Sequence, residues 1–254
     1  MEMTIKDYIN NPMGRKNAVI SNREMYRSYY TDKFNKLMVR ENGKIDYTLY
    51  KSKNNYYIHL KIPSETVKNF YYDVVFCFYP KSTNDKTIDN YYVKFYSNDP
   101  SFVYTFAHAF AKNKLFIDDL APKMSKQALK KTATEKNPNS EIGYVKTIYF
   151  AYIYMNNKGL FNTIHYVSAE KYDKNKLLKN IMDADEKIKL RQEEGENQRK
   201  SKPATKKKEA IRTVTGNLLN RNNDLSVGTV KRVGKVGNIK NTKIIKGTKK
   251  SHRI

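Results

Sequence analysis

Every aromatic residue of this 254-residue chain, 21 tyrosines and 11 phenylalanines, lies at or before Tyr172. A segment without large apolar groups cannot offset its own ordering entropy. The aromatic distribution therefore confines the core to the part of the chain before Asp173. Charge divides the chain near the same place. Residues 199–254 hold 17 Lys/Arg against Glu209 and Asp224, a net of +15, whereas residues 1–198 hold 32 basic and 23 acidic residues, a net of +9. The expected organisation is an N-terminal arm at 1–16, a folded domain at 17–172, an amphipathic helix at 173–198 and a basic extended or disordered arm at 199–254. One cysteine excludes an intrachain disulfide. Met1 to Asn10 is polar and no run of 18 apolar residues occurs, so neither a signal peptide nor a spanning helix is expected, and no membrane partner.

The local patterns predict strands first and helices later, an α+β fold with an antiparallel sheet. Ser21 and Glu24 form a capping-box pair that starts a helix running to about Thr31. Lys44 to Lys51 alternates Ile45, Tyr47 and Leu49 on one face, and Tyr56 to Ile62 alternates Ile58, Leu60 and Ile62. With the polar turn Ser52 to Asn55 between them, these read as a hairpin. Tyr71 to Tyr79 is almost wholly apolar and suits a strand buried on both faces, with Tyr91 to Tyr96 as its neighbour. Asp99 and Pro100 open a helix whose inner face is Phe102, Phe106, Ala109 and Phe110. Further helices are expected at Ser125 to Lys136, at Ser140 to Lys158 capped by Gly159, and at Lys174 to about Glu194. Leu160 to Val167 is expected as a strand.

No arrangement of residues points to catalysis. The four histidines lack metal-ligand spacing: His59 alternates away from its strand's apolar face and is expected to be exposed, and His108 reads as a half-buried histidine. Cys77 sits inside an apolar strand, where a thiol keeps its proton. Asp118 and Asp119 are adjacent, so on a helix they point about 100° apart and cannot share one ion. Asp183, Asp185 and Glu186 read as surface partners of Lys187 and Lys189. The expectation is a non-enzyme with no catalytic residue, no metal, no cofactor and no small-molecule substrate.

The arm carries the functional signal. Arg199, Lys200, Lys202, Lys206, Lys207, Lys208, Lys231, Arg232, Lys249, Lys250 and Arg253 are candidate phosphate contacts, of the kind that releases counterions and ignores sequence. With no aromatic residue in the arm there is nothing to stack on bases, so duplex DNA is favoured over single strands. Val227, Val230, Val233, Val236 and Ile239 are regularly placed apolar residues that electrostatics does not require. They are candidate contacts to a neighbouring subunit.

The stretches Asn11-Pro12-Met13-Gly14-Arg15, Ser97 to Tyr104 and Gly143-Tyr144-Val145-Lys146, within a chain rich in Asn, Lys, Tyr and Ile, give it a resemblance to small basic virion proteins of tailed bacteriophages. The resemblance implies a structural, capsid-lining or head–tail neck protein. It would sit in the virion, pass through the host cytoplasm before assembly, and have other virion proteins, copies of itself and nucleic acid as partners. The alternatives are a free intracellular nucleic-acid-binding protein and, third, a metal-dependent nuclease.

Overall fold

The structure is a computed structural model and describes residues 2–10, 23–81 and 87–200. It is α+β. Five strands run β1 (Tyr47–Ser52), β2 (Asn55–Pro63), β3 (Tyr71–Tyr79), β4 (Tyr92–Ser97) and β5 (Glu170–Lys171). Their spatial order is β4-β3-β2-β1-β5, antiparallel throughout except for the parallel pair β1 and β5. Around the sheet stand α1 (Ile5–Asn10), α2 (Arg23–Arg40), α3 (Ala107–Lys112), α4 (Lys126–Lys130), α5 (Lys146–Asn157), α6 (Lys174–Asn180) and α7 (Ala184–Lys200).

Register explains which side chains meet. Ile58, Phe76 and Phe95 are in line across β2, β3 and β4, as are Leu60 and Val74, and all are fully buried. This face packs on α5 and on the rings of Tyr8 and Phe110, each within 6 Å of Phe95. The opposite face carries Tyr57, Cys77 and Lys94 in one row and His59, Val75 and Tyr96 in the next. The strand at Tyr71–Tyr79 falls where its apolar run puts it, with seven consecutive buried residues. The hairpin turn also matches: Ser52 pairs with Asn55, and Lys53 takes the left-handed conformation (φ 49°) that so short a turn needs.

Several expectations are corrected. The N-terminus is not an arm up to residue 16, because α1 buries Ile5, Tyr8 and Ile9. The Tyr8 hydroxyl donates to Gly143 O and accepts from Val145 N, both at 3.1 Å, which keeps 140–145 out of the expected long helix and delays α5 to Lys146. Gly159 (φ 67°) does follow α5 as its cap. The helix expected to end near Thr31 continues to Arg40, since Phe34 and Leu37 extend its buried face; Ser21 lies outside the described residues. On β1 the buried tyrosine is Tyr50, while Tyr47 is 42% exposed. Tyr50 points to the face covered by α6, where its hydroxyl accepts from Asn180 Nδ2 (3.4 Å). Leu160 to Val167 forms a 3-10 turn at Thr163–Tyr166 rather than a strand, capped by Asn162 Oδ1 accepting from Ile164 N (3.0 Å).

The expected helix over Lys174 to Glu194 is two helices. Asp173 caps α6 through the N–H groups of Asn175 and Lys176, and the chain breaks at 181–183, where Ile181 is buried and Asn98 Nδ2 reaches Met182 O at 3.4 Å. Leu177, Ile181, Ala184 and Ile188 belong to the main core. The compact unit accordingly runs from Met1 to Ser201 rather than ending near Asp173.

The Asp99 cap appears as expected, its Oδ1 accepting from Ser101 N (2.7 Å) and Phe102 N (3.4 Å). A π-helical stretch at Phe102–Phe106 leads into α3, and Phe102, Phe106, Ala109 and Phe110 are all buried. Between Lys126 and Lys136 only α4 is helical. Asn137 captures the chain beyond it, with Nδ2 donating to Thr105 O (3.1 Å) and Glu141 O (2.9 Å) and Oδ1 accepting from Glu141 N (2.9 Å).

Candidate functional site

The chain reaches its basic segment through α7, so what holds α7 fixes where that segment starts. Only Ala184 and Ile188 of its 17 residues are buried, and apolar contact alone holds it weakly. Further contacts, to the loop after β2 and the start of β3, do the rest. Leu190 packs on the cluster of Val67, Phe70 and Tyr72, and the Lys187 ammonium stands 4.6 Å from the Phe70 ring centre. Arg191 Nη2 donates to Thr66 Oγ1 at 3.4 Å. At the far end the Gln198 amide pairs with one backbone unit in both directions, accepting from Lys68 N and donating to Lys68 O, each at 3.0 Å.

Arg199 and Lys200 are exposed in the last turn of α7, where the helix dipole also favours cations. They are the two sequence-nominated phosphate contacts that the structure places. Lys202, Lys206, Lys207, Lys208, Lys231, Arg232, Lys249, Lys250 and Arg253 lie outside the described residues, as do Val227, Val230, Val233, Val236 and Ile239.

His59 is not exposed. Its strand's second face lies beneath the C-terminal helices, leaving the ring 4% exposed with Nε2 donating to Asp73 Oδ1 at 2.8 Å. Asp73 Oδ2 accepts from Asn98 Nδ2 (2.8 Å), and Asp73 N donates back to Asn98 Oδ1 (2.8 Å). Burial works to raise the Asp73 carboxyl, but the His59 hydrogen bond and charge, Lys187 and the Asn98 amide outweigh it and hold the group below its usual range. The triad ties β2, β3 and the 97–99 corner together. Removing one partner of such a buried pair strands the others. Asp73→Ala is expected to cost about 3 kcal/mol in denaturant unfolding, and His59→Leu with Asp73→Leu to recover most of that loss. A depressed carboxyl pKa adds stability above its unfolded value and loses it as pH falls through the folded value. The advantage of wild type over Asp73→Asn at neutral pH should therefore begin to shrink below about pH 4, the unfolded-state value, and disappear only once the pH lies below the depressed folded-state value.

Elsewhere on this face, an open depression of about 680 Å³ is lined by Tyr57, Cys77, Tyr79, Lys94, Lys114 and Asp118 among others. Tyr172 stacks on Tyr57 with ring centres 4.0 Å apart. Burial pushes the Cys77 thiol up to about 11, so it is protonated and a poor nucleophile at neutral pH. The neighbouring carboxylates diverge, as their spacing requires. Asp118 Oδ2 accepts from Lys94 Nζ at 2.8 Å, while Asp119 takes the Tyr172 hydroxyl at 2.7 Å and Lys174 Nζ at 3.3 Å. Among the described residues no group of three or more His, Cys, Asp or Glu side chains is placed to hold a metal ion. Asp183 lies in the break before α7 and forms an ion pair with neither Lys187 nor Lys189; its Oδ1 is 3.6 Å from Lys123 Nζ. His108 is half-buried as expected, its Nδ1 3.2 Å from Ser140 Oγ. No helix of the described residues is long and apolar enough to cross a membrane.

Comparison of the chain with family models, with curated proteins and with solved structures finds no match. Geometry and charge are therefore what bears on function. The sequence reading missed the docking of α7, because its partners, Thr66 and Lys68, lie more than 120 residues upstream and belong to no local pattern.

Proposed function

We propose that this chain is a non-enzymatic assembly protein, a bacteriophage virion component of the capsid-lining or head–tail neck type, whose basic C-terminal segment contacts nucleic acid and neighbouring subunits. The observation that carries the reading is the break in charge at the end of a docked helix. A net of +15 over residues 199–254 begins in the last turn of α7, which Arg191 and Gln198 fasten to the folded unit. A polycation rooted on a folded body suits a protein that must hold nucleic acid beside a protein lattice, since phosphate neutralisation supplies affinity without sequence preference. Val227, Val230, Val233, Val236 and Ile239 supply the protein-facing half of that role.

The reading is tested by following the chain through gradient purification of the particles that contain it. It is expected to sediment with them at a fixed ratio to the major shell protein. Recovery only in free-protein fractions, with nucleic acid bound, favours instead a free intracellular nucleic-acid-binding protein.

A further inference from the structure

The segment from Lys126 to Glu141 contributes little to the core, yet it is held in a defined shape. None of the five residues of α4 is buried, and the chain after it has no regular structure until α5. Its fixity comes from polar bonds to the helix beneath. Asn137 is 7% exposed and bonds to Thr105 O and to both backbone groups of Glu141. Ser140 adopts a left-handed conformation (φ 53°) and sets its hydroxyl 3.2 Å from His108 Nδ1, with Thr132 Oγ1 at 3.5 Å from the same nitrogen. Ala128 and Leu129 of α4 pack partly buried on the core, but the irregular connection at 131–141 buries no apolar residue and is pinned by these polar bonds, as a connection with a surface role would be.

What it shows to solvent is positive charge. Lys126, Lys130, Lys131 and Lys136 are exposed, and Lys112 joins them from the end of α3, on which α4 packs. None of these five forms an ion pair among the described residues; exposed lysines such as Lys36, Lys44 and Lys179 share that property but stand on separate elements, so what distinguishes this segment is the concentration of such lysines. Glu135 is the only acid between Lys126 and Lys136. Tyr104, one turn before His108 in the 102–106 stretch that α4 also contacts, is 53% exposed. Unpaired lysines on a rigid surface meet no internal requirement. Gathered on one pinned stretch they supply the positive charge that a sugar-phosphate backbone attracts, and an exposed tyrosine hydroxyl can donate a hydrogen bond to phosphate.

We infer that the face formed by α3, α4 and the 131–141 connection is a second nucleic-acid contact, a duplex phosphate site on the folded unit itself. This rests on the nucleic-acid part of the proposed function and extends it from the basic segment to the domain. The folded unit would thereby orient the duplex, where the C-terminal segment alone would only tether it.

The test uses the full chain and a short DNA duplex, with affinity measured across a salt series. Lys126→Glu, Lys130→Glu and Lys131→Glu together are expected to weaken binding at least tenfold, by the order-of-magnitude salt relation, and to flatten the log–log slope by about 2.7 if all three touch phosphates. The control reverses three exposed lysines on other elements, Lys36, Lys44 and Lys179, and is expected to lose at most about threefold from altered net charge alone. Should the glutamate triple melt at lower temperature than wild type, the glutamine triple replaces it, with the same site lost and no charge reversed. Equal losses in the site and control triples, with tight wild-type binding, overturn the inference and leave the proposed function standing. No duplex binding by wild type overturns the nucleic-acid reading itself. Wild-type binding to anionic phosphatidylglycerol vesicles in preference to the duplex, lost in the site triple, overturns the inference in favour of a membrane-facing surface.

Discussion

A chain ending at Ser201 should bind duplex DNA at least tenfold more weakly than the full chain at moderate salt, a floor drawn from the counterion-release relation. The truncation removes 15 of the 49 Lys/Arg and leaves the compact unit Met1–Ser201 entire. If only six of those 15 engage phosphates, the slope of log affinity against log salt falls by about 5, and the gap between the two chains widens as salt is lowered. The cut must fall after α7. A chain stopped at Asp173 would lose Leu177, Ile181, Ala184 and Ile188 from the core and test unfolding rather than binding. Near-equal affinity with and without residues 202–254 would move the nucleic-acid contact wholly onto the folded unit.

The second large effect separates charge from apolar contact. Changing Val227, Val230, Val233 and Val236 together to Ser leaves every charge in place, so affinity for DNA should stay within about twofold of wild type, as an electrostatic origin requires. If those valines seat against a neighbouring subunit, each loses about 1.5–3 kcal/mol of burial, less the ordering cost. Four such losses exceed what an assembly contact can absorb. The expected result is a variant that binds DNA and fails to enter particles.

How much of this was legible depended on how far apart in sequence the decisive partners lie. β3 was readable because its apolar run is buried on both faces, and the Asp99-Pro100 helix start because a cap and its N–H partners are neighbours. α1 was legible and missed. Ile5, Tyr8 and Ile9 are spaced for one helix face, and Thr4 and Asp7 cap it reciprocally, Thr4 N donating to Asp7 Oδ2 (2.9 Å) and Asp7 N to Thr4 Oγ1 (3.1 Å). Its short, polar look hid the pattern. His59 was misplaced for another reason. Alternation shows which side of a strand is apolar, but the helices that bury the other side come more than 100 residues later. The lysines of the 126–136 segment read as the outer face of a helix, because the capture of Asn137 by Thr105 and Glu141 leaves no trace in local propensity. The basic segment was visible as composition alone.

Limited proteolysis of the free protein and of purified particles, with cleavage mapped by mass spectrometry, tests the central claim most directly. Residues 202–254 hold 15 Lys/Arg, all but Lys202 (which precedes Pro203) open to trypsin by sequence, so access is read at many points along one segment. The account predicts rapid cleavage throughout this segment in the free chain and protection of the stretch around Val227 to Ile239 in the particle, persisting after nuclease treatment because protein contacts hold it. Equal cleavage of that stretch in both states would contradict it and reduce the segment to a solvated polycation.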